Sequence, residues 1–282
     1  MEQKPLKFSV VVVLYKKSYC DSPSLNSFIG ALGEMRAAGF FPTIYVWNNS
    51  PGFSPILEHE AVVWLEGENS SLPSIYNHIA KLTFEAGGVA LMISDDDTDY
   101  SQYDFRGNLK VVRSFLDDER RMDMVGCFIP KVRSAGKLVS PGGRHLFKGY
   151  LLEQITSGLV DTKNLLAINS GVLITQACYE RMQPLYDERL NFYGTDTDFF
   201  FRYEKFFKKI YVFDSLVDHS LSEYAGESLS RALFRWGDHI YAMKVTFSGE
   251  GFLCRLALSL YIFYLKIKLS FKYKALSFVF LK

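Results

Sequence analysis

Cysteine is scarce: Cys20, Cys127, Cys178 and Cys254 are the only four in 282 residues, and they show neither close pairing nor zinc-ligand spacing. That excludes a disulfide-stapled scaffold and a cysteine-held zinc module, and it points to a reducing compartment, the cytoplasm. Long apolar runs are also missing. A bilayer span takes ~18–20 uncharged apolar residues, and the longest candidate, Leu256 to Leu265, is about half that length. No secretory leader precedes the first strand-like run. A basic excess is absent as well, because 32 Lys and Arg face 31 Asp and Glu. The strongly basic domain expected of a nucleic-acid binder is therefore not here. Internal repeats and low-complexity stretches are lacking. The chain does carry 48% hydrophobic residues, ordinary usage for a globular protein with a full core.

The even charge balance hides an uneven distribution. Phe252 to Lys282 holds Arg255, Lys266, Lys268, Lys272, Lys274 and Lys282 with no acid, so a chain of +1 overall carries −5 in the remainder. The carboxyl-terminal stretch is a separate compositional zone.

Hydrophobic patterning predicts alternating strands and helices. FSVVVVLY (Phe8–Tyr15) is a continuous β-branched run, as in a strand covered on both faces of a parallel sheet. A helix is expected from Ser22 and Pro23 to a stop at Gly39, with Leu25, Phe28, Ile29, Leu32 and Met35 on one face. TIYVW reads as a second strand ending in the turn cluster NNSPG, AVVWL as a third, SIYNHIAKL as a helix and VALMI as a fourth strand. Beyond these come an amphipathic helix through Leu109 and Val112, a strand MVGCFIP, a Gly-rich connection ending in PGGRH, and a strand within LLAINSGVLI. An aromatic helix around DTDFFFRYEKFF, a strand KIYVFDSLVDH and a long helix from Leu229 to Met243 complete the core pattern. Such alternation predicts an α/β fold with a mostly parallel central sheet flanked by helices, whose ligands bind beyond the carboxyl ends of the strands.

The sequence VALMISDDDT places Asp95, Asp96 and Asp97 at one such strand end. Three adjacent carboxylates repel one another unless positive charge sits among them. In extended backbone Asp95 and Asp97 point the same way while Asp96 faces elsewhere. Two convergent carboxylates make a hard oxygen site suited to Mg²⁺ or Mn²⁺, able to gather the oxygens of a diphosphate. The alternative is a solvated acidic turn.

The ordered set SVVVVLY, YVWNNSP, ENSSLPSIYN, LMISDDDT, INSGVLI, GTDTDFFFR and DHSLS resembles the inverting family 2 glycosyltransferases of GT-A fold. Within that family it is most similar to the type found in bacterial surface-polysaccharide and O-antigen (lipopolysaccharide) assembly, over roughly Phe8 to Met243. The resemblance implies a Rossmann-like catalytic domain over 1–225, with a donor half of about 1–100 and an acceptor half of about 101–225, then a helical region over 226–282. It implies that Asp95 and Asp97 hold the metal, Mn²⁺ or Mg²⁺, with His219 as a third ligand or a hydrogen-bonded structural residue. Asp95 and Asp96 meet the sugar nucleotide. Tyr15, Asn69 and Asn77 match donor-pocket positions, and Asn48 stands where the family usually has an acid that accepts a hydrogen bond from the base. Ser170 and Gly171 match the acceptor floor. Asp196 matches the general base that takes the acceptor proton, with Asp198 its close competitor. The loop Pro141–His145 reads either as a flap bringing Arg144 to a phosphate or as a hairpin connection.

Eight aromatics and six cations in Phe252–Lys282 suit a segment lying on an anionic bilayer surface, although its lysines spread around a helical circumference. Packing on the catalytic domain or on a second subunit is the alternative. The expectation is a cytoplasmic enzyme, peripheral on the cytoplasmic face of the inner membrane. It would move a rhamnosyl, galactosyl or galactofuranosyl group from a UDP- or dTDP-sugar to a lipid-linked oligosaccharide. Competing readings are a sugar nucleotidyltransferase, which wants a Gly-rich phosphate loop where LYKKSYCDSPS has no glycine, and a non-catalytic glycan-binding module at a membrane surface.

Overall fold

Apolar β-branched residues fill Leu6–Leu14 (β1), and the chain then turns into two short helices, Pro23–Gly30 (α1) and Leu32–Ala37 (α2). The computed structural model describes residues 5–219 and 227–281. The expected single helix up to Gly39 is broken at Ala31, and the Ser22 hydroxyl caps its start by accepting from the Leu25 N–H. Strands Phe40–Asn48 (β2) and Val62–Glu66 (β3), helix Leu72–Glu85 (α3) and strand Ala90–Ser94 (β4) follow. Next come a two-residue strand Thr98–Asp99 (β5), helices Phe105–Leu116 (α4) and Glu119–Met124 (α5), and strand Val125–Ser134 (β6).

The Gly-rich connection is itself built of strands: Lys137–Ser140 (β7), Gly142–His145 (β8), Lys148–Leu151 (β9) and Gly158–Asp161 (β10). The run LLAINSGVLI divides into Leu165–Leu166 (β11) and Val172–Thr175 (β12). Helices Gln176–Arg181 (α6) and Thr195–Phe206 (α7) precede strand Lys209–His219 (β13), and Leu229–Thr246 (α8) and Phe252–Tyr273 (α9) close the fold.

The main sheet has the order β10-β13-β6-β12-β4-β1-β2-β3, with β5 on β13 and β7 on β6. Strands β3, β2, β1 and β4 are parallel, and β13 is parallel to β6. β12 runs opposite to both β4 and β6, which puts the two parallel groups in one direction and makes the sheet mostly parallel. A second sheet, β11-β8-β9, takes up the loop expected at Pro141–His145. Hydrophobic clusters cover both faces of the main sheet: Phe8, Val10, Phe28 and Met35 on one, and Val11, Ile75, Ile79 and Phe199 on the other.

Helix α9 has two apolar faces. Leu258, Ile262, Leu265 and Leu269 are buried in a cluster with Ala232 and Ile240 of α8 and Phe201 of α7, so the carboxyl-terminal helices share a core with the sheet domain. Leu256, Leu260, Phe263, Ile267 and Phe271 form an exposed stripe on the opposite side. At 100° per residue, Arg255 and Lys266 fall on one flank of that stripe and Lys268 and Lys272 on the other. This explains the scattered lysines, which occupy the two seams between an inward and an outward apolar face. Among the described residues no helix is long and apolar enough to cross a membrane. The expected boundary between 225 and 226 lies outside the described residues, as does Lys282.

Candidate active site

Parallel strands deliver their carboxyl ends to one edge. Leu14, Asn48 and Glu66 end there in register with one another, and Ser94 ends β4 opposite Val12, two residues short of them. Because β12 is reversed, it starts at this same edge. Its register pairs Val172 with Ile93, so Ser170, two residues earlier, falls opposite Asp95. The Ser170 hydroxyl donates to Asp95 Oδ2 at 2.5 Å. Gly171 makes the turn possible. Its φ is +85°, and a Cβ there would lie 2.8 Å from Pro130 Cγ.

Each aspartate has its own partner. The backbone carbonyls of Asp95 and Asp96 accept from the Ser24 and Ser22 hydroxyls, at 2.8 Å each, and this holds the acidic turn to the start of α1. The Asp96 carboxylate pairs with Lys17 at 2.9 Å, and Asp97 Oδ1 lies 3.3 Å from His219 Nδ1. The histidine is carried there by the β5–β13 bridge, in which His219 pairs with Thr98 and its Nδ1 lies 3.0 Å from the threonine hydroxyl. Burial raises the Asp95 carboxyl above the usual aspartate range, against the pull of the Ser170 hydroxyl and His219. Burial likewise raises Asp96 despite Lys17. Sequence reasoning missed Lys17 because the pair spans the loop after β1.

One acceptor is left over. Asp97 Oδ1 is buried and has no hydrogen-bond partner. Among the described residues no group of three or more His, Cys, Asp or Glu side chains is placed to hold a metal ion. An orphaned carboxylate oxygen beside a second carboxylate and an imidazole fits a divalent cation that completes its shell with water and substrate phosphate, as Mg²⁺ habitually does.

Asp196 sits in the first turn of α7 and lines a pocket of about 230 Å³ with Gly142, Gly143, Tyr150, Leu151 and Ile168. Burial pushes its carboxyl up to about 6. Hydrogen bonds from Thr197 work against that shift and the Asp95 charge adds to it, so the two carboxylates sense each other. Tyr76 senses both, and its phenol is raised mainly by burial. The competitor Asp198 is committed elsewhere. It is buried and paired with Arg202 Nε at 2.8 Å, while the same guanidinium donates to the carbonyls of Pro184 and Leu185.

Other sequence-predicted residues have structural partners. Asn48 is fully buried; its amide donates to Glu66 Oε1 at 3.1 Å and its oxygen accepts from Ser50 N–H at 3.3 Å. The exposed acid at this edge is Glu66, a register partner of Asn48 that only the β2–β3 pairing brings alongside. Asn77 spends its amide on Tyr186 N–H, Tyr186 carbonyl and Glu188. Asn69 is exposed at φ +42° on a loop tied to Asn49, and Tyr15 is 49% exposed at the end of β1. Arg144 is ion-paired with Glu204 and lies over the Phe201 ring.

No protein-family model and no curated protein matches the chain. Solved structures with a similar course of chain include A197 from STIV, at 14% identity and TM-score 0.41, covering 74% of this chain and 82% of that one. UDP-glucose pyrophosphorylase complexed with UDP-glucose is similar at 12% identity and TM-score 0.45, covering 86% and 99%. A candidate nucleotide-diphospho-sugar transferase from Desulfovibrio desulfuricans G20 is similar at 9% identity and TM-score 0.35, covering 85% and 97%. These similarities are distant, and the chemistry of the site rests on the chain's own residues.

Proposed function

We propose that the chain is a divalent-cation-dependent inverting glycosyltransferase. It would move a sugar from a UDP- or dTDP-sugar to a lipid-linked glycan at a membrane surface. The observation that carries this reading is a pairing of roles at one sheet edge. Asp95, next but one to Asp97 with its unsatisfied oxygen, lies within electrostatic reach of Asp196, whose carboxyl is raised to about 6 and lines a pocket. A carboxyl with that affinity holds and releases a proton near neutral pH, as a general base must.

In this reading Asp95 and Asp97 would hold the cation, with His219 beside Asp97, and the cation when bound supplies positive charge for the departing nucleoside diphosphate. Ser170 keeps the Asp95 carboxylate oriented. Asp196 accepts the proton of the acceptor hydroxyl, whose oxygen bonds to the anomeric carbon from the side opposite the leaving diphosphate and so inverts it. Asp198, held by Arg202, fixes the first turn of α7 beneath that base. The outer stripe of α9, flanked by cations on both sides, suits shallow burial in an anionic lipid surface with lysines reaching the phosphates. The nucleotidyltransferase reading is the weaker one, since Lys17 is spent on Asp96 and no glycine follows β1 before α1.

Manganese-dependent thermal stabilisation by UDP- and dTDP-sugars, followed by transfer assays with the stabilising donor, tests the reading. Asp196→Asn should lose turnover by about 10²–10⁴-fold while retaining donor binding. Unchanged turnover would reject the assignment of the base.

A further inference from the structure

A second cavity of about 370 Å³ adjoins the Asp196 pocket, sharing Gly149, Leu166 and Thr197 with it. Its volume falls in the range of small-molecule sites, ~300–1,000 Å³. The β8–β9 hairpin, α7 and the two carboxyl-terminal helices enclose it. Most of its wall is apolar, with Phe147, Met243, Phe247 and Tyr261 among the lining side chains.

Its charged groups are of one sign, set beside the hydroxyls of Thr197, Thr246 and Tyr261 and the ring of His239. Arg144, Lys148 and Lys268 lie in the wall, and no Asp or Glu does. The terminal nitrogens of Arg144 meet Glu204 and the Leu146 carbonyl, but its buried Nε and the buried Trp236 Nε1 have no hydrogen-bond partner. Buried donors left unpaired cost stability, and here two of them belong to one cavity. With Arg144 already paired to Glu204, the two exposed lysines and the unpaired indole N–H of Trp236 are what call for anionic oxygens, and the aromatic walls call for an apolar chain.

We propose that this cavity binds the apolar, phosphate-bearing end of the acceptor. Its ligand is an amphiphile whose chain lies among Phe147, Met243 and Tyr261 and whose phosphate oxygens meet Trp236 and the lysines. The word acceptor rests on the glycosyltransferase reading; the site itself does not. Thr197, in the cavity wall, is the residue next to Asp196, so only a short spacer separates the phosphate from the reacting hydroxyl. The arrangement therefore selects acceptors glycosylated close to their lipid phosphate.

Isothermal titration of the full chain, without donor nucleotide, tests the site with n-octyl and n-decyl phosphate below their micelle concentrations. Each methylene buried should tighten binding about fourfold, giving roughly tenfold or more from octyl to decyl. Lys268 is exposed, so Lys268→Glu should fold normally, weaken decyl phosphate at least about tenfold and leave n-decanol unaffected. Met243→Trp, which fills the cavity, should weaken both. Decyl phosphate binding that is absent, indifferent to Lys268→Glu, or displaced equally well by inorganic phosphate would overturn the proposal. Transfer to a short water-soluble acceptor separates the two ideas: its persistence without amphiphile binding sinks this inference alone, and its absence alongside amphiphile binding sinks only the glycosyltransferase reading.

Discussion

Replacing Asp196 by Asn should stabilise the protein, and the size of the gain should depend on pH. The carboxyl is raised from 3.8 to about 6, chiefly because burial penalises its charge. Between those values the folded chain holds a proton that the unfolded chain has released. Stability therefore falls as pH rises through that window and is flat above it. A shift of about two units corresponds to ~3 kcal/mol. Asparagine has nearly the same shape and no charge to desolvate, so Asp196→Asn should exceed the parent by ~3 kcal/mol at pH 8, about half that at pH 5 and under ~1 kcal/mol at pH 4. Urea denaturation followed by tryptophan fluorescence at the three pH values measures this directly. A variant no more stable than the parent at pH 8, or a gain that ignores pH, would refute the account of a desolvated carboxylate. The same shift predicts that kcat/KM of the parent climbs with pH and levels off above about 6.

The neighbouring acid should behave in the opposite way. Arg202→Met strands the buried Asp198 carboxylate and should cost about 3–5 kcal/mol in urea melts, whereas Asp198→Asn should leave turnover within a few-fold. Ser170→Ala removes the hydroxyl that meets Asp95, so it should cost about 1.5–3 kcal/mol at pH 8 and move the Asp95 carboxyl further up, read by NMR titration of the side chain. Gly171→Ala forces a side chain into positive φ against Pro130 and should lose about 1–3 kcal/mol. Replacing Phe263 and Phe271 together with Ser should abolish co-flotation with phosphatidylglycerol vesicles while leaving thermal stability nearly unchanged, since both rings are exposed.

Periodicity made most of the sheet legible before any coordinates. KIYVFDSLVDH is β13 residue for residue, and VALMI differs from β4 by one position at each end. Strand direction was not legible, because a buried apolar run such as Val172–Thr175 looks the same whether it runs parallel or antiparallel. The acidic triplet was readable as a cluster in need of positive charge. Of its partners, His219 was matched to the cluster by the resemblance alone and Lys17 was missed, since they reach it only through a two-residue bridge and a loop. Amides posed the same difficulty. Nothing local in the sequence tells that Asn77 is engaged 109 residues away at Tyr186, or that Asn48 lies against Glu66. The Gly-rich segment, read either as a flap or as a hairpin connection, forms the β8–β9 hairpin, pinned by Arg144 to Glu204 across 60 residues. The lysines of the carboxyl-terminal region made no sense as one polar stripe, because the helix has two apolar sides.

The reversal of β12 ties catalysis to alignment more tightly than to folding energy. Sliding this strand by two positions against β4 would keep every inward side chain inward, so the hydrophobic layers would survive almost untouched. Yet Ser170 would travel roughly 7 Å along the sheet and abandon Asp95. A variant of that kind would keep its hydrophobic layers and lose mainly the Ser170–Asp95 hydrogen bond, so a screen for folded protein would pass it and a measurement at the acidic turn would expose it.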